Sequence, residues 1–329
     1  MEDVVEMEGM KAMKGMEGMK DVEAAEAMED TEDVENLEGI AGVGGNAARG
    51  VFISSTGTGV GKTVVTSGLA AYLQAIGCSV DVWKPVQSGV ELGAVDADSY
   101  RLRWGSGLTN VTEEQFVTLT LPEPLAPWMA AERCGRHIDV GALIAEGQRR
   151  LRAGALLVEG AGGIAVPFNE QVTMADFAYQ LRMPVLLVAA PGLGTVSHTV
   201  TAIQFARSRG ITDIAVLFSG SPEQANAKAR VENARMIEAL AHVPVLGDAP
   251  WLPQPTAEWG GEGVVDEAAE ADDVAAADSA GAADAADVSD ADDTANAWAL
   301  WRSAWVEQIL NVPALHELRV WLHARIGMR

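Results

Sequence analysis

The chain reads as an α/β protein, a mostly parallel sheet with helices on both faces. Three observations predict this. Short β-branched runs alternate with helical stretches from residue 51 onward. Those runs are apolar on both faces, as strands buried in a parallel sheet are. A glycine-rich turn joins the first run to the first helical stretch, the arrangement of a phosphate-binding loop.

Strands are predicted over residues 51–54, 79–83, 155–159, 185–189 and 214–218, with a short run at 244–246 closing the sheet. Amphipathic spacing predicts helices over 63–76, 140–153, 174–180, 197–209 and 226–240. A short helix fits 99–104; Asp96 or Asp98 would serve as its N-cap or contact a metal ion. A phosphate-loop (P-loop) NTPase-like sheet is therefore expected over residues 49–254.

Charge divides the chain. Of a net charge of −24, residues 1–50 carry −10 and residues 255–297 carry −13, which leaves the body almost neutral. A nearly neutral body argues against nucleic acid as a partner, because phosphate backbones need clustered Lys and Arg. Residues 1–48 are acidic, methionine-rich and repetitive, with Met-Glu-Gly-Met-Lys at 7–11 and again at 16–20. They are expected to be disordered, as is the Ala/Asp-rich stretch 255–297. Residues 298–329 recover amphipathic spacing. Trp298, Trp301 and Trp305 fall at i, i+3 and i+7, which predicts helices docked on the core. No apolar run approaches the roughly 20 residues of a membrane span. Two cysteines, Cys78 and Cys134, cannot build a disulfide framework. A cytoplasmic protein is expected.

The sharpest local signal is Ser54-Ser55-Thr56-Gly57-Thr58-Gly59-Val60-Gly61-Lys62-Thr63. Glycines let backbone N–H groups turn inward around phosphate oxygens, and the following helix adds positive charge at its start. Lys62 would reach the β- and γ-phosphates, and the Thr63 hydroxyl would ligate Mg²⁺. A plain strand-to-helix turn is the competing reading. Lys84-Pro85-Val86-Gln87-Ser88-Gly89 ends the second strand, the sheet edge where ligands bind. Lys84 there would set a cation over a phosphate or a carboxylate, and Ser88 would hydrogen-bond the same ligand. Glu159-Gly160-Ala161-Gly162-Gly163 ends another strand with an acid where a second metal contact is needed. Gly192-Leu193-Gly194-Thr195-Val196-Ser197-His198 is a second glycine loop before a helix and would suit an anion.

Together these motifs resemble the dethiobiotin synthetase family, over about residues 51–252. The match includes Thr-Gly-Val-Gly-Lys-Thr at 58–63, Lys-Pro-Val-x-Ser-Gly at 84–89, Glu-Gly-Ala-Gly-Gly at 159–163, Leu-Gly-Thr at 193–195 and Pro-Trp-Leu at 250–252. The resemblance implies an ATP-dependent ligase of biotin synthesis that joins 7,8-diaminononanoate with CO₂ through a carbamate and a carbamic-phosphoric anhydride. It implies Lys62 and Lys84 as catalytic, and Thr63, Asp98 and Glu159 as Mg²⁺ ligands. It implies Thr58, Ser88, Gly194 and Ser197 as substrate contacts, with the last two reaching a second copy of the chain in a homodimer. Nucleotide contacts would come from Gly59, Val60, Gly61, Lys62, Thr63, Val64, Glu159, Gly160, Ala161, Gly162, Ser219, Gly220, Pro250, Trp251 and Leu252. The chain departs from the family at Ser55, usually Gly, at Ser219, usually an adenine-reading Asn, and at Ser197, commonly Asn. A ParA/MinD-like nucleotide switch and an inactive scaffold are the rival readings.

Overall fold

A computed structural model describes residues 49–255 and 288–328, with side chains in the last segment from Asp292. The acidic extension 1–48 and most of the 255–297 stretch lie outside the described residues. Seven parallel strands form the sheet: β1 (Gly50–Ser55), β2 (Val80–Ser88), β3 (Val117–Leu121), β4 (Ala155–Glu159), β5 (Val185–Ala189), β6 (Ile214–Phe218) and β7 (Val245–Asp248). Their spatial order is β3-β2-β4-β1-β5-β6-β7. The helices between them are α1 (Lys62–Ala75), α2 (Asp98–Ser106), α3 (Glu113–Phe116), α4 (Pro127–Arg133), α5 (Val140–Ala153), α6 (Met174–Gln180), α7 (Thr195–Ser208) and α8 (Ala227–Ala241). Two more close the chain, α9 (Val288–Asn311) and α10 (His316–Ile326). This is the α/β sheet with two helical layers that the alternating pattern predicts.

The layers follow from strand alternation, which sends successive side chains to opposite faces. Phe52, Leu156 and Val158 enter one apolar cluster with Phe177, Ile203 and Ile237. Val51, Ile53 and Leu157 enter the other with Leu69, Trp298, Trp305 and Leu322. Both faces are covered, so the central strands carry unbroken apolar runs.

β2 runs past the expected end at 83 to Ser88, so Lys84 lies within the strand rather than after it, and the short helices α3 and α4 were not predicted. Two further differences have a plain physical cause. β3 was not predicted, because Val-Thr-Leu-Thr-Leu lies at the sheet edge with its middle residues partly exposed and lacks the apolar continuity of the inner strands. It extends β2 as far as Ser88: Val86, Gln87 and Ser88 pair with Leu119, Thr120 and Leu121. The segment 255–297 is likewise not disordered throughout, since α9 begins at Val288. Alanine is the best helix former, and acidic residues early in a helix meet its positive end. High net charge masks that propensity when composition is read alone.

The C-terminal helices pack on the P-loop side of the sheet. Trp305 is fully buried against α1. A Cβ added at Gly68 would lie 2.3 Å from its indole, so glycine permits this approach. Arg302 Nη1 donates to the Trp104 carbonyl at 2.5 Å, and Trp301 Nε1 donates to the Leu252 carbonyl at 3.5 Å. No helix among the described residues is long and apolar enough to cross a membrane.

Candidate active site

The ends of β1, β2 and β4 converge at one edge of the sheet. Gly61 caps α1 in the left-handed region, at φ 91°. A Cβ there would come within 2.3 Å of Ser219 Oγ, so both the turn and the neighbour demand glycine. Lys62 and Thr63 open α1, directly above the strand ends.

Register explains the charged cluster. Trp83 pairs with Val158 on adjacent parallel strands, so the next residues, Lys84 and Glu159, emerge side by side. Lys84 Nζ is 2.8 Å from Glu159 Oε1 and 2.7 Å from Asp98 Oδ2. Thr63 Oγ1 lies 2.8 Å from Asp98 Oδ1 and 3.0 Å from Glu159 Oε1, and its proton serves either carboxylate. Glu159 is fully buried and Lys84 is 3% exposed. Burial opposes the Lys84 charge, yet Asp98 and Glu159 outweigh it and raise its pKa. Burial likewise pushes Asp98 upward, but Lys84, with the Thr63 hydrogen bond and Lys62, offsets this and holds its carboxyl below the usual range. Asp98 is the first residue of α2 rather than its cap, a position that Ala97 takes.

Lys62 differs. Burial first, then repulsion from Lys84, lowers its pKa to about 8. Its ammonium donates to Ser55 Oγ at 3.1 Å. The Ser55 proton in turn lies within reach of two carbonyl oxygens, Gly57 at 2.6 Å and Gly162 at 3.0 Å. Ser55 thus joins the P-loop to the loop after Glu159, and the Ile164 N–H bonds to the Ser55 carbonyl at 2.9 Å. Sequence reasoning noted Ser55 only as a departure from a family glycine. That departure was itself the signal of a hydroxyl at this seat.

The remaining predicted residues fall in three places. Thr58 and Gly59 sit exposed at the P-loop tip, with Val60 and Val64 half-buried beside them. Gly160, Ala161 and Gly162 follow Glu159, and Ser219 and Gly220 follow β6 next to Gly61. Pro250 is buried, Leu252 is half-buried, and Trp251 is 55% exposed. Ser88 faces an unexpected partner: its hydroxyl donates to the Leu125 carbonyl at 2.7 Å, which leaves only lone pairs for a ligand. Gly194 caps α7, and Ser197 is exposed on its first turn. Among the described residues, no hydrogen bond or ion pair links Gly194 or Ser197 to the Lys84 cluster.

The oxygen donors suit a hard divalent cation. Thr63 already sits between two carboxylates, and the buried Glu159 Oε2 has no hydrogen-bond partner. Magnesium takes few protein ligands and completes its shell with phosphate and water. Thr63, Asp98 and Glu159 are the residues that fit it.

A P-loop at the head of a parallel sheet, with a strand-end carboxylate against its threonine, defines the P-loop nucleotide-binding class. The AAA domain family model AAA_26 matches residues 49–258. The ATP-dependent dethiobiotin synthetase BioD of Bacillus thuringiensis strain Al Hakam is 41% identical over 204 residues, covering 62% of this chain and 84% of that one. The enzyme of the same name from Bacillus anthracis strain CDC 684 is 40% identical over 222 residues, 67% and 90% of the two chains. The chain belongs to the ATP-dependent dethiobiotin synthetase family, a family of ATP-dependent ligases. Among solved structures, the MinC:MinD cell division complex of Aquifex aeolicus shows 18% identity and a TM-score of 0.41, over 62% of this chain and 82% of that one. A ParA family ATPase from Chlorobium tepidum shows 13% and 0.40, over 62% and 85%.

Proposed function

We propose that this chain closes the ureido ring of dethiobiotin from 7,8-diaminononanoate, CO₂ and ATP. The observation that carries the reading is Lys84, a buried cation within β2, set between the two carboxylates that face the P-loop threonine. A nucleotide switch that works through partner binding has no use for a second buried ammonium at that place.

The chemistry runs in three steps. One substrate amine attacks CO₂ and loses a proton, giving a carbamate. A carbamate oxygen attacks the γ-phosphorus, the bond to ADP breaks, and a carbamic-phosphoric anhydride forms. The second amine attacks the carbamoyl carbon and loses a proton, the bond to phosphate oxygen breaks, and inorganic phosphate leaves. Carbamate and γ-phosphate both carry negative charge and must approach each other. Lys62 and Lys84 are placed to neutralise them, and such fixed charge in a dry site is commonly the largest catalytic effect. Thr63, Asp98 and Glu159 would hold magnesium, which would supply further positive charge to the phosphates. Thr58 and Ser88 would contact the diamine, while Ser219, Gly220 and the segment 250–252 would flank the base, with the Trp251 ring open for stacking.

The working unit in this reading is a homodimer in the cytoplasm, without nucleic acid or membrane. Leu193 stands fully exposed between Gly192 and Gly194. A second copy would cover it, and the second copy's Gly194 and Ser197 would hold the substrate carboxylate. The test is isotopic. With ¹³C-bicarbonate, diaminononanoate and Mg·ATP, the product should gain one carbon label in the ring. Unlabelled product, or none, overturns the reading.

A further inference from the structure

Behind Asp98 lies a second buried polar group that the chemistry above does not use. Gln87 is 1% exposed, Ser99 is fully buried and Glu113 is 8% exposed. Gln87 Oε1 accepts from the Ser99 backbone N–H at 3.0 Å. Ser99 Oγ donates to Glu113 Oε2 at 2.8 Å. The same Glu113 oxygen accepts from the Gly93 N–H at 3.0 Å.

These three bonds converge on the residue next to Asp98 and on the loop that leads into it. A carboxylate taken from water is costly unless hydrogen bonds satisfy it. Among the described residues no cation pairs with Glu113; the two hydrogen bonds it accepts come from neutral donors. Gln87 bears a related cost, since its Nε2 is buried without a partner. A core built for stability alone would place apolar side chains at both positions. The arrangement has a geometric consequence instead. Gln87 lies on β2 three residues after Lys84, and Glu113 opens α3. Together they pin the first turn of α2 against the sheet from two sides. Asp98 can then meet Thr63 and Lys84 at 2.8 and 2.7 Å.

We infer that Glu113, acting through Ser99 and assisted by Gln87, is a positioning residue that holds Asp98 in place for the divalent cation. The inference rests on the proposed reading of Asp98 as a metal ligand. Groups hydrogen-bonded behind a metal ligand commonly carry about 10–100-fold in metal affinity or activity. Gln87 stands inside the Lys-Pro-Val-Gln-Ser-Gly stretch, but Glu113 carries no local sequence signal. Its role is visible only once the chain is folded.

The experiment uses the full chain with Mn²⁺ as probe and ADP present, so no turnover is needed. Bound Mn²⁺ is read by electron paramagnetic resonance for the parent, Glu113→Gln, Ser99→Ala and Ser99→Thr. Glu113→Gln and Ser99→Ala should each weaken Mn²⁺ binding about ten-fold, with the double variant no worse than the weaker single one. Ser99→Thr, which keeps a hydroxyl, should restore most of the affinity. ADP affinity measured without metal should stay within two-fold throughout. Unchanged Mn²⁺ affinity in folded Ser99→Ala overturns the inference, and so do purely additive losses in the double variant. Ser99→Ala removes one hydroxyl only, so it remains informative if Glu113→Gln folds poorly. Because metal binding is read without the diamine, failure of the ligase reading leaves this result standing separately.

Discussion

Lys84 and Glu159 lie side by side on adjacent parallel strands, both buried, with Lys84 Nζ 2.8 Å from Glu159 Oε1. The pair is a product of register, since Trp83 and Val158 immediately precede it and face each other across the ladder. Two lysines and two carboxylates gather at this edge, so the cluster is balanced in charge. A metal–nucleotide complex would redistribute that balance rather than enter a vacuum of charge.

Replacing Lys84 by methionine keeps the stem and removes the charge. Turnover should fall about 10²–10³-fold, the usual cost of losing one fixed donor at a developing negative charge. Asp98 and Glu159 are then left facing each other without their cation, so the melting temperature of the apo protein should drop. Mg²⁺ with ADP should recover more of that loss in the variant than in the parent. Full turnover in Lys84→Met would remove this residue from the chemistry.

Lys62 should make nucleotide binding depend on pH. Its pKa is about 8 in the folded protein, lowered first by burial and then by Lys84. Its unfolded value is 10.5. Between these two values the unfolded chain holds a proton that the folded chain has released, so this group's contribution to stability rises with pH across that window. Phosphate favours the ammonium. ATP binding at pH 8.5 should therefore take up protons, and affinity should weaken as pH rises above about 8. Calorimetry in buffers of different ionisation enthalpy measures the proton count. No uptake at pH 8.5 contradicts the depressed value.

Ser55→Gly restores the residue common in the family and removes the hydroxyl that receives Lys62. It also cuts the tie to Gly57 and Gly162. The KM for ATP should change several-fold, with a smaller effect on kcat, because the lost bonds order the P-loop before chemistry begins. Kinetics at saturating diamine separate the two. An unchanged KM would make Ser55 a passive filler.

Trp305→Ala should cost about 3–5 kcal/mol, the usual range for emptying a fully buried aromatic site. Gly68→Ala attacks the same contact from the other side, since the new Cβ would lie 2.3 Å from the indole. Both variants should melt early, and the double variant should lose less than the sum of its parts because the alanine would enter space the indole vacates. Urea unfolding measures each. Additive losses would show that α9 and α1 do not share this contact.

Much of the fold was legible because buried parallel strands and amphipathic helices leave strong periodic marks. Residues 155–159, 185–189 and 214–218 match β4, β5 and β6 to the residue. β3 was hidden by its edge position, and the start of α9 by acidic composition. In the site, Lys62, Thr63, Lys84, Asp98 and Glu159 were all legible: Lys62, Thr63, Lys84 and Glu159 from local motifs, and Asp98 decisively only through the family resemblance. Ser55, Ser99 and Glu113 were not, because their importance comes from which atoms meet across 7, 14 or 107 positions. Spacing along the chain carries no record of that.

The most direct test of the account is phosphate release from the full chain with Mg·ATP and bicarbonate, with and without 7,8-diaminononanoate. The account predicts release that requires the diamine, one phosphate for each ring closed. Release at the same rate without the diamine would point to a nucleotide switch, and no release under either condition to an inactive scaffold; either result would contradict it.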